Sequence, residues 1–155
     1  MNNRRSFIVG IKSTKLSLRE KNFLKIYKPW GVILFTRNIR NINQTLKLTS
    51  SIKKIFNDIS YPILIDQEGG RVNRLKNLIS FDNLTSEFFG NKYIKNRKEF
   101  IFYYKLFVDK ISYLLKSMGV NINTVPVLDL RFIGASNIIG DRSFSRNPKV
   151  VSKIG

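Results

Sequence analysis

Short apolar runs alternate along this chain with stretches whose apolar residues recur every three or four positions, a pattern that predicts strands followed by helices. The first run, Phe7–Ile11, ends at a polar turn and predicts a strand. Ser17 with Glu20 three residues on fits a capping box, and Leu18, Phe23, Leu24 and Tyr27 follow at helical intervals as the expected core face. Pro29 closes that helix, because proline disfavours αR in the residue before it. Gly31–Thr36 is β-branched and apolar, as in a strand buried on both faces. Asn43 is the expected cap of a second helix reaching Asn57, with Leu46, Ile52, Ile55 and Phe56 inward.

Pro62–Ile65 predicts another doubly buried strand, running straight into Asp66-Gln67-Glu68-Gly69-Gly70-Arg71. A long polar connection follows, anchored by Phe81, Leu84, Phe88 and Phe89. The strongest helical period spans Asn96–Met118. Phe100, Tyr104, Phe107, Ile111, Leu114 and Met118 form one stripe, Lys98, Lys105, Asp109 and Lys116 a wet face, and Gly119 sits at C′. A fourth strand is expected at Val125–Asp129, then a glycine-containing loop, then a helix opening at Asn147-Pro148. Strand–helix alternation of this kind implies an α/β fold with parallel strands and helices outside; periodicity does not separate a doubly wound sheet from a (β/α)8 barrel.

Composition narrows the chemistry. The chain has 155 residues, enough for one domain with its own core, and 43% hydrophobic content. It contains no cysteine and no histidine, which excludes disulfides, thiolate or imidazole metal ligation and a Ser-His-Asp triad. No metal or cofactor is expected. The N-terminal apolar run is too short for a signal peptide and no stretch is long enough to span a membrane, so a cytoplasmic location and no membrane partner are expected. The net charge of +18 is spread along the whole length. With abundant Lys, Asn and Ile and a single alanine, Ala135, it reads as compositional drift more readily than as a nucleic-acid surface.

Candidate chemistry lies at strand ends, where α/β proteins assemble sites. Asp66–Arg74 crowds charges around a glycine pair directly after a buried strand. A carboxylate there accepts bonds from sugar hydroxyls, and an arginine donates to hydroxyls or an acyl carbonyl. The same residues fit a structural loop in which Asp66 caps a helix and Arg71 or Arg74 neutralises Glu68. Asp66 and Glu68 are too close along one loop to flank a glycosidic bond. Ile139–Phe144, with Asp141 and Arg142, forms a second cluster that also fits a structural Asp–Arg pair. Trp30 is expected in the core.

The run Trp30–Phe35, then Asp66-Gln-Glu-Gly-Gly-Arg-Val72 with Arg74, then Pro126–Asp129, then Ile139-Gly-Asp-Arg-Ser-Phe144 resembles family 3 glycoside hydrolases of the cytoplasmic bacterial β-N-acetylhexosaminidase kind. The resemblance covers essentially the whole chain. It implies one domain, residues 1–155, forming the N-terminal half of a (β/α)8 TIM-type barrel cut after about four strands. It implies Asp66, Arg74 and Arg142 as substrate-binding residues, with N-acetylglucosamine-containing cell-wall fragments as ligand. In that family a Lys-His pair, a histidine acid/base and an aspartate nucleophile follow later and support retaining hydrolysis, so no catalytic residue is expected in this chain. The stop at Gly155 reads as a partial sequence, a decaying gene or one half of a split enzyme, with a complementary C-terminal half or self-association as possible partners. Arg146 and Asn147 stand where related enzymes tend to have acidic residues. The alternative function is a basic α/β binding module or non-catalytic remnant.

Overall fold

The structure is a computed structural model that describes residues 4–155. Four strands, β1 (Arg5–Gly10), β2 (Pro29–Leu34), β3 (Ile63–Ile65) and β4 (Ile122–Asn123), form one parallel sheet in that same order. Helices α1 (Leu18–Tyr27), α2 (Ile42–Phe56), α3 (Ser86–Lys95), α4 (Arg97–Ser117) and α5 (Pro148–Ile154) connect and follow them. Each strand pairs with its sequence neighbour, as in βα units wound in one direction. Among the described residues no helix is long and apolar enough to cross a membrane.

The core lies between the sheet and the helices on its outside. Val32, Leu34, Ile63 and Ile65 are fully buried and meet Leu48 and Ile52 of α2, Ile111 and Leu114 of α4 and the α4 cap residue Met118 in one cluster. The α4 stripe is as its period predicts, and Gly119 adopts φ +73° beyond the cap residue Met118. Ser17 and Glu20 form the reciprocal capping box of α1: Glu20 N donates to Ser17 Oγ at 3.2 Å and Ser17 N to the Glu20 carboxylate at 2.8 Å. Asn147 caps α5, with Pro148 at its first position.

Several expectations shift. β1 and β2 begin two residues earlier than the apolar runs suggest, because ladder hydrogen bonding extends into polar or proline flanks. Trp30 is 42% exposed, not core, since it sits at the outward-facing position beside Gly31 near the start of β2. Only Leu24 of the α1 set is buried; Leu18, Phe23 and Tyr27 face outward on the sheet's β1 side, where no further strand pairs among the described residues. Asn41, not Asn43, caps α2: it is extended at φ −157° and accepts from Gln44 N at 2.8 Å, which places Asn43 inside the first turn. Leu46 is exposed, while Thr45 and Thr49 take the buried face, Thr49 donating to the Met118 carbonyl at 2.8 Å.

The fourth strand lies earlier than Val125–Asp129. Ile122 and Asn123 pair with Leu64 and Ile65, and there β3 ends, leaving residues 125–129 no ladder on that side. The connection after β3 contains a helix that the polar composition hid. Thr85 caps α3 by accepting from Phe88 N at 3.0 Å, and Phe89 is buried among Tyr104 and Phe107, ring centroids 4.9 Å from each. Gly90 decides how closely α3 approaches the last third of the chain. A Cβ there would lie 1.7 Å from the Phe144 carbonyl oxygen, so only glycine lets the helix backbone press on the segment that carries Arg142.

Candidate functional site

β3 delivers Asp66 to the C-terminal end of the sheet, and the chain turns there on Gly69 and Gly70, at φ +96° and +54°. Gln67 points inward, fully buried. Its Oε1 accepts from Arg74 N at 2.9 Å and Leu75 N at 3.1 Å, and Asn123 at the end of β4 ties its backbone from the other side. These bonds close residues 67–75 into a loop, with one side chain accepting from two of its N–H groups.

Asp66 is left at the surface of this loop, with its side chain 27% exposed. Its Oδ2 meets Arg74 Nη2 at 3.1 Å and its Oδ1 accepts from Thr124 Oγ1 at 2.9 Å. Arg74 lies with its guanidinium 5.4 Å from the Phe35 ring centroid, so a side chain after β2 supports it. Glu68, its side chain only 7% exposed, is gripped by Arg142: Nε to Oε2 and Nη2 to Oε1, both at 2.8 Å. Hydrogen bonding to Glu68 is the main reason the Arg142 pKa rises above its ordinary value; burial opposes this, and the charges of Glu68, Asp129 and Asp66 add to the rise.

The three residues predicted as substrate-binding thus converge at one end of the sheet. Asp66 and Arg74 touch directly, and Arg142 arrives from 68 residues beyond Arg74 to the neighbouring Glu68. No helix starts at Asp66, so it is not a cap, and neither Arg71 nor Arg74 neutralises Glu68. Arg71 reaches across to Asp141, Nε to Oδ1 at 3.0 Å. Thr124 was not singled out from the sequence; a lone hydroxyl after an apolar strand carries no motif, and only the β3–β4 register brings it to Asp66. Behind the loop, Gln67, Phe89, Tyr104, Phe107 and Phe144 line a cavity of about 180 Å³. Among the described residues no three carboxylates group as metal ligands would.

The model of the glycosyl hydrolase family 3 N-terminal domain matches residues 7–155, from the β1 strand through the Arg142 segment. The chain belongs to glycosyl hydrolase family 3. Among the family's curated members, the β-hexosaminidase of Hydrogenovibrio crunogenus is 34% identical over 152 residues, covering 96% of this chain and 41% of that protein. The β-hexosaminidase of Thioalkalivibrio sulfidiphilus is 32% identical over 148 residues, 95% of this chain and 42% of that protein. The chain therefore spans about two fifths of the length of these relatives. Native NagZ from Neisseria gonorrhoeae superposes with a TM-score of 0.85 at 30% identity, over 97% of this chain and 43% of that one. The same protein in complex with N-trifluoroacetyl-D-glucosamine gives 0.78 at 29%, over 97% and 45%. The parallel sheet is accordingly a four-strand arc of the family's TIM-type barrel.

Proposed function

We propose that this chain supplies the sugar-binding part of a β-N-acetylhexosaminidase pocket, with Asp66, Arg74 and Arg142 as its ligand-contacting groups. The observation that carries the reading is their convergence at the C-terminal end of parallel strands, where (β/α)8 enzymes build their sites. Asp66 accepts from sugar hydroxyls at an oxygen that now receives Thr124 or Arg74, and the arginines donate to hydroxyl and acyl oxygens. The relatives named β-hexosaminidase and the NagZ complex with an N-acylated glucosamine support an N-acetylglucosamine-type ligand. N-acetylglucosamine-containing cell-wall fragments in the cytoplasm are the substrate class we assign.

Hydrolysis needs a proton donor and a second carboxylate on opposite sides of the bond. The chain has no histidine, and both oxygens of Glu68 are occupied by Arg142. The chain by itself is therefore expected to bind and not to turn over, with the remaining groups contributed by a complementary part of the barrel. A chromogenic β-N-acetylglucosaminide assayed with purified chain is expected to show background hydrolysis only. Calorimetric titration with N-acetylglucosamine is expected to show binding that Asp66→Ala abolishes. Turnover lost in Asp66→Ala, or sugar binding unchanged by it, would refute the reading.

One observation favours a second reading. An open groove of about 1090 Å³ beside α2 is lined by Lys15, Lys21, Lys47 and Lys110 and by no carboxylate, which suits a basic binding module. Loss of sugar binding with retained, salt-sensitive polyanion binding would favour it.

A further inference from the structure

Residues 124–139 contain almost no backbone hydrogen bonds of their own, yet Arg142, three residues beyond, is held in one orientation. Two arginines running in opposite directions account for this. Arg71, in the loop after β3, places Nη2 so that its two N–H groups are shared among the carbonyls of Asn137 at 2.5 Å, Ile138 at 2.8 Å and Ile139 at 2.7 Å, and sends Nε to Asp141 at 3.0 Å. Arg142, in the segment so gathered, returns the bidentate pair to Glu68 at 2.8 and 2.8 Å. Each loop gives the other one planar fork, and a lysine ammonium cannot reproduce either contact set.

We infer that Glu68 and Arg71 are positioning residues for the pocket, bracing residues 137–142 so that Arg142 faces the ligand through its Nη1. This rests on the sugar-binding reading above. The geometry divides the Arg142 guanidinium in two. Nε and Nη2 are taken by the buried Glu68 carboxylate, while Nη1 has only a 3.4 Å contact with the Ile138 carbonyl. Rotation of the guanidinium would break two charge-assisted bonds, so the Nη1 edge is preset before a ligand arrives, which lowers the ordering cost of binding. Arg71 fixes the backbone that carries this group, where the exposed side chains of Phe132, Ile133 and Ile138 give the segment little packing of its own.

The test combines amide hydrogen exchange with N-acetylglucosamine titration on the full chain, comparing wild type, Glu68→Gln, Arg71→Lys and the reversed pair Glu68→Arg/Arg142→Glu. Glu68→Gln and Arg71→Lys are each expected to speed exchange of the Arg142 and Ser143 amides, which donate to the Ile139 and Gly140 carbonyls, about tenfold and weaken sugar binding about tenfold, the scale of one lost charge-assisted bond. Amides of Leu75 and Phe89 are expected to keep their protection, which separates loosening of the brace from loss of the fold. The reversed pair is expected to restore protection of the amides at positions 142 and 143 and not sugar affinity, because the brace survives and the ligand-facing guanidinium does not. Unchanged exchange in both single variants, or affinity regained by the reversed pair, overturns the inference. If wild type binds no sugar, the functional reading and the positioning role fall together, and the exchange result separately decides whether the brace orders the loop.

Discussion

Two segments leave the same end of the sheet, 66–85 after β3 and 124–139 after β4. The first carries its own ties: Gly70 N donates to the Phe81 carbonyl at 2.9 Å, Gln67 satisfies two N–H groups, and Leu75 and Phe81 are buried. In the second, the backbone bonds within the segment amount to Ala135 N to the Phe132 carbonyl at 3.4 Å, and Leu128, Phe132, Ile133 and Ile138 are exposed. It is held from outside, by Arg71, by Ser143 Oγ on the Asp129 carbonyl at 2.7 Å, and by an ion pair between Arg131 and Glu87. One half of the proposed pocket is thus built locally and the other is borrowed, so the two should respond differently to substitution.

The largest contrast is in stability. Leu75→Ala, at 0% exposure, is expected to cost about 2–5 kcal/mol, whereas Ile133→Ala, at 86% exposure, is expected to stay within about 0.5 kcal/mol. Denaturant unfolding checks both, and equal costs would mean the second segment packs more than its exposure implies. In ligand binding the end of the second segment is expected to count as well, through Arg142 just beyond it. Arg142→Ala is expected to weaken N-acetylglucosamine binding by about 1.5–3 kcal/mol and the exposed Arg146→Ala by far less, as calorimetry can read. Gln67→Leu keeps the size and removes the acceptor of Arg74 N, while Leu75 N keeps Asn73 Oδ1 at 3.1 Å, for an expected loss of about 1–2 kcal/mol.

Alkaline pH offers a milder test, of the core beside the first segment. Tyr61, hydrogen-bonded to the Pro29 carbonyl at 2.8 Å, is pushed up to about 12 by burial against the opposing charge of Arg4, and burial also raises Tyr104 behind the first loop. A folded pKa above the unfolded value gives stability that is present below about pH 10 and lost as pH rises through the folded value. Unfolding midpoints are therefore expected to fall between about pH 10 and 12 in wild type, and less steeply in Tyr61→Phe. The smallest effect belongs to Glu87→Gln. Its pair with Arg131 has side chains 42% and 33% exposed, and removing it is expected to cost at most about 1 kcal/mol.

The two segments also differ in how far the sequence reveals them. Local chemistry was readable: the Ser17–Glu20 box, the α4 stripe with Gly119, the glycine turn after β3 and the Asn147-Pro148 start all form as their residues predict. The proposed pocket trio was readable only through a family resemblance, since Asp66, Arg74 and Arg142 are brought together by a register that joins separate loops. What stayed hidden depends on tertiary contact. Trp30 looks like core until its facing in β2 is known, and α3 looks like loop until Phe89 finds its aromatic neighbours. Glu68 has Arg71 and Arg74 within reach along the sequence, and only the fold selects the distant Arg142 over them.

The most direct test of the account is a crystal structure of the chain soaked with N-acetylglucosamine. The expected result is a sugar at the C-terminal end of β3, with a hydroxyl on Asp66, donors from Arg74 and from Arg142 Nη1, and the Glu68–Arg142 pair intact. A sugar bound elsewhere, or Arg142 swung away from Glu68 to reach it, would contradict the assignment.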